Sequence, residues 1–182
     1  MKYTDACKKA VEVYTDGMSA FNDKSDEIEK AFKENEIGAK EYERRRSEIR
    51  GTDTALYTQL VQTINAARDA YIAELPRRYR RDSETMDVAD LNLLTSTAAN
   101  LTPADVSRMF EKHADSLGMQ GAIAEYNAKR TDPAPLTYYD EETRENDART
   151  FAEAMISAGR SGGMHAAFAI EGRYIPPSLV NE

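Results

Sequence analysis

A single cysteine cannot close a disulfide within the chain, and one Cys with two His cannot make a zinc site alone. Nine glycines and six prolines in 182 residues are too few for the close-set turns of an all-β fold. No apolar run approaches the roughly 18 residues that a membrane span takes, so no membrane association is expected. The first residues, Met1-Lys2-Tyr3-Thr4-Asp5, turn charged at once and contain no apolar signal core. Basic charge is in deficit: 24 Lys and Arg stand against 32 Asp and Glu, a net charge of −8. Backbone phosphates repel such a chain, which argues against nucleic acid as its partner. The lone Cys7 and the absence of an export signal point to a reducing cytoplasm.

What the chain has is helical periodicity. Cys7, Val11, Tyr14, Met18, Phe21, Ser25, Ile28 and Phe32 follow one another in alternating steps of four and three. That is the a/d spacing of a left-handed coiled coil, with only Ser25 polar. The seam faces either the chain's own core or a second chain. Gly17 lies inside the helix, either tolerated or a point of close approach. Gly38 is the expected stop, because glycine takes the left-handed conformation that closes a helix. Helicity resumes from Lys40 to Arg50, and Gly51-Thr52-Asp53 is the next expected break. A second apolar stripe runs through Leu56, Tyr57, Leu60, Val61, Ile64, Ala67, Tyr71 and Leu75 to Pro76. It is wide enough to touch more than one neighbour.

Beyond residue 81 the elements shorten. Helices are expected over Met86–Leu94, from Pro103 to about Ala114, and from Leu117 to about Lys129. Thr102-Pro103-Ala104-Asp105 reads as an N-cap, a proline at the first helical position and an acid at the third. Asp115-Ser116 offers a second cap. Val106, Met109, Phe110, Leu117, Met119, Ile123 and Tyr126 would form a small core of their own. Asp132-Pro133-Ala134-Pro135 reads as a linker, followed by a helix from about Glu141 to Ala158. An apolar, irregular tail closes the chain. It docks onto the body or waits for a partner, and its loss is expected to leave the helices intact.

The expected fold is therefore all-α: an elongated antiparallel, coiled-coil-like helical hairpin (1–81), a small helical module (82–131), and a linker, C-terminal helix and docking tail (132–182). No catalytic constellation accompanies it. His113 and His165 belong to no two-histidine metal motif, and Ser161-Gly162-Gly163 lacks the lysine of a phosphate loop. Cys7 occupies a seam position, where a buried, inert thiol is expected. Nothing supplies a nucleophile, base and orienter together. A non-enzymatic protein is expected, without metal, cofactor or small-molecule substrate.

Binding is left to two features. Arg77, Arg78, Arg80 and Arg81 flank Tyr79, and Arg44-Arg45-Arg46 with Arg50 form a second basic cluster. Arginine's rigid fork suits carboxylate or phosphate, and the candidates are the protein's own acids, an acidic partner or nucleic acid. The tail's Phe168, Ile170, Tyr174 and Ile175 are of the kind that anchor protein interfaces. A protein partner or self-association is expected.

One stretch carries a resemblance. Asp90-Leu91-Asn92-Leu93-Leu94, then Leu101-Thr102-Pro103-Ala104-Asp105, then Met119 and Tyr126 resemble small helical proteins encoded among the head genes of tailed bacteriophages. Those proteins have a small apolar residue where Asn127 stands here. The resemblance covers residues 83–130 and, more loosely, the hairpin. It implies a virion accessory or capsid-assembly role in the host cytoplasm or within a virion. The alternative it leaves is a phage-encoded inhibitor or adaptor of a host protein.

Overall fold

The computed structural model describes residues 2–81, 86–96 and 100–180. Among these every regular element is helical: α1 (Tyr3–Lys33), α2 (Ala39–Ile49), α3 (Thr52–Arg78), α4 (Val88–Thr95), α5 (Pro103–Lys112), α6 (Leu117–Ala128), α7 (Glu141–Ser161) and α8 (Gly163–Ile170), with a single 3₁₀ turn at Pro177–Leu179. The all-α expectation holds. No helix among the described residues is long and apolar enough to cross a membrane.

α1 ends differently from expectation. Asn35, at φ +60°, takes the left-handed position. The Asn35 N–H donates to the Phe32 carbonyl and the Glu36 N–H to the Ala31 carbonyl. This is the paired closure of a Schellman motif, with asparagine in glycine's place. Gly38 has an extended backbone and precedes the first residue of α2. The break before α3 does use glycine, since Gly51 lies at φ +80°.

The chain divides into two compact units, and both boundaries fall inside helices. The first comprises Met1–Ala70 with Asp147–Glu182, the second Tyr71–Asn146. These boundaries differ from 81 and 131, because composition does not change where α3 and α7 pass from one unit to the next.

In the first unit α2 and α3 run antiparallel to α1. The Phe32 and Tyr42 rings stack at 4.5 Å, Arg46 donates to Ser25, and Tyr14 meets Tyr57 edge-on. The seam thus meets its own chain, with Cys7 and Val11 fully buried and Ile28 4% exposed. Its middle positions are half-buried, and Phe32 is exposed beyond its stack. Burial pushes the Cys7 thiol up to about 12, so it stays protonated and inert. Gly17 is a point of close approach: a Cβ there would stand 2.7 Å from a methyl of Leu56. α7 enters the same core through Phe151, Ala152 and Met155, and Leu179 is fully buried.

The second unit is built on caps. Asp87 caps α4 by accepting from the Ala89 and Asp90 N–H groups. Thr102 and Asp105 form the reciprocal capping box expected at α5, with Pro103 in its first turn. Ser116 caps α6. The core gathers Leu94, Val106, Met109, Met119, Ile123 and Ala134, with Phe110 and Tyr126 at its edge. Asn127 explains itself: its buried amide donates to the Ala134 carbonyl at 2.9 Å and accepts from the Ala134 N–H at 2.7 Å. A small apolar side chain could not satisfy that buried backbone.

Candidate functional site

The Arg77–Arg81 segment closes α3 in the second unit. Pro76 does not stop the helix, which continues to Arg78. The Tyr79 N–H donates to the Leu75 carbonyl at 2.9 Å. The Tyr79 hydroxyl donates to the Tyr139 carbonyl, and its ring lies edge-on to Tyr138 at 6.5 Å. Burial raises the Tyr79 phenol above its ordinary range. Arg81 donates to Glu125 at 2.6 Å, and this pairing holds the Glu125 carboxyl below its usual value.

α6 comes unusually close to this segment. A Cβ on Gly118 would stand 2.5 Å from the Arg80 carbonyl oxygen, and one on Gly121 would stand 2.6 Å from the Tyr138 hydroxyl. The basic run is therefore partly structural: Tyr79 and Arg81 fasten the end of α3. Arg77 and Arg80 are exposed and Arg78 is half-buried. In the other basic cluster, Arg44, Arg45 and Arg46 face the protein's own acids. Arg44 pairs with Glu41 and Glu48, Arg45 with Glu41, and Arg46 with Glu29.

A polar cluster that periodicity did not reveal lies where α4 begins and α5 ends. Lys112 donates to Asp87 at 3.1 Å and to Asp90 at 2.8 Å. His113 Nε2 lies 2.7 Å from the same Asp90 oxygen. Hydrogen bonds from Lys112 and His113 hold the Asp90 carboxyl below its ordinary range. Asp87 is lowered by the Asp90 N–H first and by Lys112 next. The ligand atoms of Asp87, Asp90 and His113 lie within 4.8 Å of one another, the one such group among the described residues. Those three could hold a divalent ion. Lys112 already donates to both carboxylates, so each has a partner without an ion, and the arrangement clasps α4 to α5. The carboxylate that meets His113 arrives from 23 positions earlier.

The tail residues lie in the first unit. Phe168, Ile170, Tyr174 and Ile175 are all half-buried. The Arg173 guanidinium covers the Phe168 ring at 4.1 Å, and His165 Nδ1 lies 3.3 Å from the Tyr174 hydroxyl. The stretch is more regular than expected, with α8 packed against α1 and Ala166, Ala169 and Leu179 turned inward. What faces outward is Met164, 70% exposed, and Val180, 55% exposed.

No protein-family model, curated protein or solved structure matches the chain.

Proposed function

We propose that this chain is a non-enzymatic structural or assembly-associated binding protein of a tailed phage, a virion accessory or capsid-assembly factor acting in the host cytoplasm or inside the particle. The phage setting rests on the resemblance over residues 83–130. The observation that carries a binding role lies in the same segment. α4 has only eight residues, yet it exposes Val88 by 58% and Leu93 by 43%. Of its other large side chains, Leu94 lies in the core of the second unit and Leu91 packs against that core. Two large apolar side chains left exposed on so short a helix support contact with another protein.

Mass spectrometry of particles and head intermediates from the encoding phage tests the reading. The chain should co-purify at a constant ratio through a density gradient. A Val88→Ser, Leu93→Ser variant with unchanged circular dichroism should be lost from them. Absence of the wild-type chain from every particle and intermediate would overturn the reading. A gene lying among small early genes, away from head genes, would favour the host-protein inhibitor instead.

A further inference from the structure

We draw no further inference here: the strongest candidate, the Asp87, Asp90 and His113 side-chain cluster where α4 begins and α5 ends, has both carboxylates already partnered by Lys112, and no second feature among the described residues points to an ion in the place of that lysine.

Discussion

Tyr3 donates its hydroxyl proton to the backbone carbonyl of Ala148, 145 residues away, at 2.7 Å. The bond is buried and fastens the first turn of α1 to α7. The Tyr3 ring also meets Phe151 edge-on at 5.8 Å. Two contributions are thus separable at one residue. Tyr3→Phe keeps the ring contact and removes the hydrogen bond, which should cost about 1 kcal/mol. Tyr3→Ala also removes the buried ring and should cost about 3–5 kcal/mol. Urea denaturation of the two variants checks this. Equal losses would mean that the ring contributes nothing beyond the hydroxyl.

Gly118 and Gly121 both sit on α6 facing the end of α3, yet their substitution should differ. A Cβ on Gly118 meets a backbone carbonyl, that of Arg80, at 2.5 Å. Neither helix can yield without moving main chain. Gly118→Ala should therefore destabilise the second unit by about 1–3 kcal/mol, even though alanine favours the helix by about 1 kcal/mol. At Gly121 the nearest atom is the Tyr138 hydroxyl, the far end of a side chain that can swing. Gly121→Ala should be the milder change. Thermal melts of the pair decide it, and a Gly118→Ala protein as stable as wild type would contradict the close approach.

Acid should loosen the second unit first. Its Asp87, Asp90, Asp105, Glu125 and Asp140 are all held below their ordinary values by hydrogen bonds to the charged form. A carboxyl with a lowered folded pKa binds fewer protons folded than unfolded. Its stabilisation is complete above the ordinary carboxylate range and is lost as pH falls through the folded value. In the first unit, among the described residues, Glu41 is the carboxyl so held, brought to about 2 by Arg44 and Arg45 on an exposed face. Hydrogen exchange followed from about pH 5 down to pH 2 should show amides of α4 and α5 losing protection before those of α1 and α7. Asp90→Asn should blunt that pH dependence. Simultaneous loss in both units would separate these carboxylates from acid stability.

The helices and caps were readable because their causes are local. Thr102, Pro103 and Asp105 act within one turn, and the apolar spacing from Cys7 to Phe32 follows from helical geometry alone. Chain reversal at Asn35 was hidden, because its left-handed conformation is one that asparagine tolerates and glycine advertises. Long-range pairings were hidden for another reason. Nothing near His113 in sequence points to Asp90, and nothing near Tyr3 points to Ala148. Those partners meet only once the elements pack. The Arg clusters divide along the same line: Glu41 and Glu48 stand three and four positions from Arg44, within reach of local reading, while Glu125, 44 positions from Arg81, meets it only once the elements pack.

The tail tests how far local reading can be carried. Judged by composition, residues 160–182 are an appendage whose loss spares the helices. Burial argues the opposite. Ala169 and Leu179 are fully buried, and Ala166 and Ser178 are each 1% exposed. Ser178 donates to Asp147, 31 residues back, where α7 enters the first unit. Gly172, at φ +82°, lies where a Cβ would stand 3.1 Å from the Lys8 side chain, so the turn after α8 is seated against α1. Removing the segment strips α8 from α1. Leu179→Ala alone should cost about 2–5 kcal/mol, and deletion of 160–182 should cost more and expose the Cys7 thiol. Reaction with a chromogenic disulfide reagent reads this directly: slow in the intact protein, fast in the truncated one. A truncated chain with native helicity and an unreactive Cys7 would return the tail to the status of an appendage, free for a partner.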